Sequence, residues 1–434
     1  MECVPPKCKL HKNKCVKPNP YVEALAKCKR DGVTIKQCKN NYNKILAEKL
    51  SCIRYKERFE KDLKDLKDLE DLEDLEDFKD LKDSKDKDIN FSYSVINNKK
   101  VIKISAAINK TKETILNQDR IKFNYNLIKK INKKGVFKVI KKNKYKYSDL
   151  YILNKIGSES KYGAAYRVKY KEFDLAAKIM CVNYSNNLEI KLLKKVTKYV
   201  MNNKTIHFPI MYFNEIIEKT DEMSNMLLPD AIQYCYNFHL NFNEIFSGDL
   251  NMFIKTKHNL DIIQNTITQI FFSISNFSYY TDYVHLDTHG GNFLYHKVLS
   301  NGYYHYKING IDLYLKNMGY IWVIWDYGFA KKATYRGIFK DYRRIIKRFI
   351  PVIFGGWNKV EKYDVNYKMT DSEQFAYNIK QDVDRMKYNF DSKYKNISLL
   401  KTEIHKVLLS YLPKNYFVKP NEKIINEDSP FIIE

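Results

Sequence analysis

The chain has 434 residues, of which 44% are hydrophobic and 14% aromatic, and its formal net charge is +25. That much apolar side chain fills a substantial core and excludes a globally disordered polypeptide; the length suits two or three domains, or one two-lobed domain with extensions. No stretch approaches the roughly 18 apolar residues that a membrane-spanning helix needs, while the cationic balance fits nucleic acid, anionic membrane, acidic protein or phosphate-rich small molecules, or a coding bias towards Lys, Asn, Ile and Tyr.

Pro5, Lys7, Lys9 and Lys12 interrupt the start, so no secretory leader or transmembrane anchor is expected and an intracellular location is the default. Residues 1–60 carry Cys3, Cys8, Cys15, Cys28, Cys38 and Cys52, with His11, at irregular gaps and without a CxxC knuckle. Packed or solvent-facing thiols are therefore favoured there over a zinc module or disulfides. Helical patterns over 21–29 and 35–55, broken at Asp31-Gly32, predict a small cysteine-containing helical module. Residues 61–90 are a charged spacer in which Lys/Glu-Asp-Leu repeats and Leu63, Leu66, Leu69, Leu72, Leu75, Phe78 and Leu81 stand three apart. A helix turns about 300° over three residues, so this apolar line drifts around the axis and makes no steady seam; an oligomerising helix is the lesser reading.

Residues 91–147 read as a basic mixed linker region, with a strand pattern at 101–104 and a helical one at 115–131. A lysine cluster over 129–146 is interleaved with Phe137, Tyr145 and Tyr147. Such interleaving can bind nucleic acid by phosphate contact and stacking. A solvated basic surface is the plainer reading and is favoured. The last two cysteines, Cys181 and Cys235, read as buried thiols.

From residue 148 onward the chain carries chemically suggestive residues in a fixed order. Two strand patterns flank a turn containing Gly157 and Gly163, where backbone amides can approach an anion closely. Lys178 follows in an apolar strand pattern, and a buried ammonium requires an anionic partner. Glu189, on an amphipathic helical pattern over 187–196, is the nearest candidate; an ordinary surface ion pair is the alternative. Ile262, Ile263, Ile267, Ile270, Phe271, Ile274 and Phe277 recur at helical spacing and predict a core helix that delivers the chain to His285-Leu286-Asp287-Thr288-His289-Gly290-Gly291-Asn292. A strand-like run at 321–325 then ends in Asp326-Tyr327-Gly328. A carboxylate and an amide on one loop, with a second carboxylate at a strand end, are the minimum equipment for a nucleotide–metal site with a base for an incoming hydroxyl. The same residue types also make ordinary turns.

Taken together, glycine turn, strand lysine, helix glutamate and aspartate loop resemble the protein-kinase-like family, in a divergent form similar to serine/threonine-protein kinases of giant DNA viruses. The resemblance implies an α+β, two-lobed protein-kinase-like fold, with an N-lobe over 148–246, a C-lobe over 247–415 with an insertion at 297–319, and a loose tail over 416–434. It implies ATP and Mg²⁺ as cofactors. Gly157 and Gly163 match the ends of the glycine-rich loop, and Ala165 takes the place of its usual valine; Lys178 and its partner Glu189 match the phosphate-contacting pair. Backbone near Glu244 and Phe246 matches the adenine-binding hinge. Asp287 matches the catalytic base, Asn292 and Asp326 the metal ligands, and His285 the catalytic-loop histidine. His289 stands where such kinases often have lysine, in a pattern also similar to aminoglycoside and choline phosphotransferases; it either donates to the transferring group or braces the loop.

Several positions depart from the family pattern. Glu159 replaces the middle glycine, one extra residue lies between Gly157 and Gly163, and eleven residues separate Lys178 from Glu189. Leu286 replaces the arginine that reads activation-loop phosphorylation, which implies activity independent of it. No APE-like sequence follows Asp326; the chain passes Lys331, Lys332 and Arg336 to a helical pattern at 341–350. The expected function is an ATP-dependent serine/threonine-protein kinase. A small-molecule or atypical kinase, and a catalytically weak pseudokinase or interaction module, are the alternatives. A protein substrate or an acidic partner is expected rather than nucleic acid, in the host cytoplasm or virion if the protein is viral.

Overall fold

The structure is a computed structural model that describes residues 9–11, 14–16, 120–219, 232, 235–353, 369–388 and 396–434, apart from gaps at 132, 134, 136, 142–143, 158–162 and 257. The chain divides into two compact units, residues 1–94 and 95–434. In the first, β1 (Lys9–His11) pairs antiparallel with β2 (Lys14–Val16). The helical patterns at 21–55, the repeat at 61–90 and the strand pattern at 101–104 lie outside the described residues.

The second unit is a mixed α+β fold. Its largest sheet has seven antiparallel strands: β3 (Phe137–Lys141), β4 (Lys144–Tyr147), β5 (Leu150–Ile156), β6 (Gly163–Tyr170), β7 (Phe173–Cys181), β8 (Met211–Glu218) and β9 (Asn237–Glu244), in the order β3-β4-β5-β6-β7-β9-β8. Side chains alternate between its faces: along β6, Tyr166, Val168 and Tyr170 are buried while Arg167 is exposed. Helix α1 (described over 120–130) buries Leu127 and is bonded to the sheet where Tyr170 Oη donates to Lys130 O at 2.8 Å and Tyr212 Oη to Asn124 Oδ1 at 2.7 Å. The region expected as a linker up to 147 thus ends in a helix and two strands of the body. Tyr145 and Tyr147 are buried, so their interleaving with lysines is strand alternation rather than a stacking platform.

Helix α2 (Tyr184–Met201) joins β7 to β8; Asn183 caps it by accepting the Asn186 amide at 3.0 Å. Its buried stripe, Glu189, Leu192, Leu193, Val196 and Val200, follows helical spacing. One expectation is corrected here: Cys181 and Cys235 are not thiols but a disulfide with a Cα–Cα distance of 5.7 Å. The β7–β9 register, which sets Cys181 opposite Phe238, brings the two cysteines together.

After β10 (Gly248–Asp249) and the short α3 (Leu250–Phe253) comes α4 (Leu260–Thr281), buried over most of its length: its apolar stripe faces the core, and buried polar side chains beside the stripe bond the neighbouring chain, Asn265 donating to Lys316 O at 2.7 Å and Gln269 to Tyr320 O at 3.1 Å. Asn259 caps it at one end, and Asp282, left-handed at φ 64°, ends it at the other. The chain continues through β11 (Tyr283–Val284), a loop, a short 3-10 turn (Gly290–Asn292) and β12 (Phe293–Lys297), which pairs antiparallel with β15 (Tyr320–Ile324).

Between β12 and β15 the expected featureless insertion is a hairpin, β13 (Tyr303–Ile308) with β14 (Ile311–Lys316), turning at Asn309-Gly310 with φ of 48° and 85°. The tail is corrected too. β17 (Phe431–Ile433) adds to β13 as a parallel strand, with Phe431 and Ile433 in the core. The remaining elements are β16 (Lys331–Lys332), paired with β11, and helices α5 (Tyr335–Ile353), α6 (Asp371–Tyr388) and α7 (Ile397–Ser410). Among the described residues no helix is long and apolar enough to cross a membrane.

Candidate active site

Lys178 lies on β7 with Ala165 of β6 and Asn241 of β9 as its register partners. Its Nζ donates to Glu189 Oε1 at 2.6 Å and to Asp326 Oδ1 at 3.0 Å. The eleven-residue spacing suffices because only Val182 and Asn183 separate β7 from α2, which puts Glu189 in the second turn of the helix. Burial alone would depress the Lys178 pKa, but the Asp326 and Glu189 carboxylates hold it above its ordinary value, so the ammonium stays charged. Glu189 is raised to about 7 by burial, against the pull of Lys178 and with the like charge of Asp326 adding to the rise. Burial also works to raise Asp326, yet Lys178, His285 and the Gly328 amide keep it below its ordinary value.

The turn at 326–328 is tightly built. Asp326 is left-handed at φ 65°, a conformation that costs a non-glycine residue energy. A Cβ at Gly328 would stand 3.3 Å from Glu189 Oε2 and 3.5 Å from Asp326 Oδ1. Tyr327 points into the core, stacked on Phe277 of α4 at 4.7 Å, and its hydroxyl donates to Ile324 O at 2.9 Å.

The loop at 285–292 is held from three sides. His285 Nδ1 accepts the Asp287 amide at 3.2 Å, which leaves the proton on Nε2 to donate to Trp325 O at 2.8 Å. Burial lowers the pKa of this imidazole. Asp341 of α5 accepts the His285 and Leu286 amides, each at 2.7 Å, and its carbonyl accepts the Thr288 hydroxyl at 2.7 Å. Burial pushes Asp341 up to about 7 in spite of those amides.

Asn292 Nδ2 donates to Asp287 O at 2.9 Å and to Asp287 Oδ2 at 3.2 Å. Arg344 Nη2 lies 2.7 Å from Asp287 Oδ1, and its Nη1 donates to Leu286 O at 2.8 Å. His289 Nδ1 accepts the Gly291 amide at 3.1 Å and its Nε2 faces Asp287 Oδ2 at 3.4 Å, so this histidine braces the loop. Burial would raise the Asp287 pKa; His289, Arg344 and His285 outweigh it and keep the carboxyl low.

The 34-residue excursion between Asn292 and Asp326 does not part them. β12 and β15 pair from Phe293–Ile324 onward, and the Trp325 amide donates to Asn292 O at 2.8 Å. The same strand is tied to the segment before β8, where the buried His207 donates from Nδ1 to Trp322 O at 2.8 Å.

No family model matches the chain, and no curated protein matches its sequence.

The other expected residues are placed less centrally. Gly157 follows β5 at φ 75°, with no atom of the described residues within 4 Å of where its Cβ would stand, whereas a Cβ at Gly163 would meet Ile179 O at 2.5 Å, so that glycine serves a close strand approach. The loop between them, Glu159 included, lies outside the described residues. Glu244, at the expected hinge, is engaged within the fold. Its amide donates to Ile210 O at 3.0 Å, and its buried carboxylate accepts from Arg120 Nε at 3.1 Å, the Ile210 amide at 2.7 Å and His296 Nε2 at 3.1 Å. The Glu244 side chain is thus a structural hub, and Phe246 packs at a tilt against its partner His296 at 4.4 Å. Burial would raise Glu244, but Arg120 and His296 pull it down to about 2. Asp341, Arg344 and Arg120 were not legible beforehand: each meets its partner across a long sequence separation, with no local motif.

Proposed function

We propose that the second unit is an ATP-dependent phosphotransferase of the two-lobed protein-kinase-like type, a serine/threonine-protein kinase that transfers the γ-phosphoryl group to a hydroxyl with Mg²⁺. One observation carries this reading: Lys178 bonds both Glu189, eleven residues away, and Asp326, 148 residues away, and Trp325, the residue before Asp326, is bonded to His285 and Asn292 at the two ends of the aspartate loop. The buried Glu189 carboxylate already gives this ammonium a partner of opposite charge. A second, partly exposed one at the same ammonium makes a charged floor suited to phosphate and a cation.

The donor set suits that pair of ligands. Among the described residues no group of three or more His, Cys, Asp and Glu side chains could hold a metal ion. Mg²⁺ ordinarily takes one or two protein oxygens and completes its shell with phosphate and water; the Asp326 carboxylate and the side-chain Oδ1 of Asn292 would be those protein oxygens. When bound, the ion would neutralise charge on the transferring phosphoryl group. Lys178, fixed by Glu189, orients the nearer phosphates. Asp287, kept anionic by Arg344 and held by Asn292, accepts a hydrogen bond from the acceptor hydroxyl and then its proton. The chain's contribution is placement and fixed charge, without a covalent protein intermediate. A small-molecule kinase is the second reading, favoured by the short passage from Gly328 to α5 at Tyr335, which leaves little platform for a protein acceptor.

The test is transfer of labelled γ-phosphate from Mg·ATP by the full chain, offered protein, peptide and small hydroxyl acceptors. Asp287→Asn is expected to cut transfer by about 10² to 10⁴ while nucleotide still binds. Undiminished transfer by that variant would remove Asp287 as the base.

A further inference from the structure

We propose that the acceptor is an acidic polypeptide segment, read by one cationic face of α5 and by β16 where they flank Asp287. This rests on the phosphotransfer reading for the chemistry, but the surface itself is visible without it. Helix α5 carries Arg336, Lys340, Arg343, Arg344 and Lys347. At 3.6 residues per turn these five fall within an arc of about 100°. The opposite arc holds Ile338, Phe339, Asp341, Tyr342, Ile345 and Ile346, all buried. The basic residues are therefore a stripe rather than a scatter produced by the high net charge.

The stripe is anchored at the site. Arg344 touches Asp287 Oδ1 at 2.7 Å, and Asp341, three residues earlier, holds the loop amides of His285 and Leu286. Where the chain enters the loop, β16 pairs with β11 immediately before His285, and its Lys331 and Lys332 are exposed. Lys332 meets Asp282 at 3.3 Å and lies 5.0 Å over the Tyr283 ring, but the two charged side chains are over 70% exposed, so these contacts contribute little and can yield to a stronger anion. From Arg336 to Lys347 the stripe spans about 16 Å of helix, the reach of about five residues of extended peptide. Acidic side chains within about five positions of the accepting hydroxyl are therefore the ones that this face can read.

The experiment uses the full chain and a fluorescent serine peptide flanked by glutamates, with alanine- and lysine-flanked versions and a single-stranded oligonucleotide as comparators. The glutamate peptide is expected to bind about tenfold more tightly than the alanine one, the order that several exposed charge pairs give together, and to be phosphorylated with a correspondingly higher kcat/KM. The pair Lys340→Glu/Lys347→Glu is expected to abolish that preference. Lys307→Glu/Lys316→Glu, the same charge change on the β13–β14 hairpin, is expected to leave it within about twofold, since surface charges beyond a Debye length are screened. Equal loss in both pairs, or an oligonucleotide bound as tightly with the same sensitivity, would overturn the inference in favour of general polyanion attraction. Phosphorylation of all three peptides without charge preference would also overturn it and leave the phosphotransfer reading intact. Binding of the glutamate peptide with the expected losses, but no transfer from Mg·ATP, would support the surface and overturn the reaction.

Discussion

Glu244→Gln preserves the shape of a buried side chain and removes its charge, which isolates the electrostatic role of the hub under β9. In the wild type, Arg120 donates to Glu244 and also to Ile206 O at 2.8 Å and Phe208 O at 2.7 Å. The variant keeps the two carbonyl bonds, so the guanidinium remains buried with its hydrogens partly satisfied and its charge unopposed. Breaking one side of such a pair costs about 3–5 kcal/mol. The carboxyl supplies a second measure, because its fall from an ordinary 4.5 to about 2 corresponds to about 3 kcal/mol. The sign follows from the depressed folded value: this stability is fully present above about pH 4.5 and is lost as pH falls towards 2. Urea unfolding followed by tryptophan fluorescence reports on the second unit alone, since Trp322, Trp325 and Trp357 all lie there. The expected result at pH 7 is a loss of about 3–5 kcal/mol, partly recovered by adding Arg120→Met, and a shallower fall in stability than the wild type between pH 4.5 and 2. A loss below about 1 kcal/mol at pH 7 would refute the claim that Glu244 is a charge hub.

Removing residues 430–434 strips β17 from β13 and exposes the buried partners of Phe431 and Ile433; each lost side chain is worth about 1.5–3 kcal/mol. A clear drop in melting temperature and faster proteolysis of the β13–β14 hairpin are expected, and an unchanged melt would show that the tail does not dock. For the disulfide, the 54-residue separation predicts about 4 kcal/mol of stabilisation. Alkylation of the denatured chain without reductant should leave Cys181 and Cys235 unlabelled, and labelling of both would contradict the bond.

What the sequence made legible follows from locality. α2 and α4 announce themselves because their apolar residues recur within a turn, and Lys178 needed an anion because an ammonium in an apolar strand cannot stay unpaired. The β13–β14 hairpin left a signal as well: Tyr304, Tyr306 and Ile308 alternate with outward residues before Asn309-Gly310. It was obscured by a tyrosine- and asparagine-rich composition that also describes loops. β17 is different in kind. Three residues joined in parallel to a strand more than a hundred positions earlier have no periodicity of their own, so only the assembled core selects them. The same holds for the site. Asp287, Asn292 and Asp326 stand out by residue type, but Asp341 and Arg344 are ordinary members of a basic amphipathic helix until α5 lies against the loop. The role of the Glu244 side chain had no local signal either, because a strand-end glutamate before a turn looks the same whether it faces solvent or a buried arginine 124 residues away.

The central claim is that Lys178, Glu189 and Asp326 form the floor of a Mg·ATP site beside Asp287 and Asn292. Calorimetric titration of Mg·ATP into the full chain and into Asp326→Ala tests it most directly. Saturable binding to the wild type, weakened at least tenfold in the variant and dependent on Mg²⁺, is the result expected from a carboxylate that both steadies Lys178 and holds the ion. Equal affinity in the two proteins, or no binding to the wild type at millimolar nucleotide, would contradict the account.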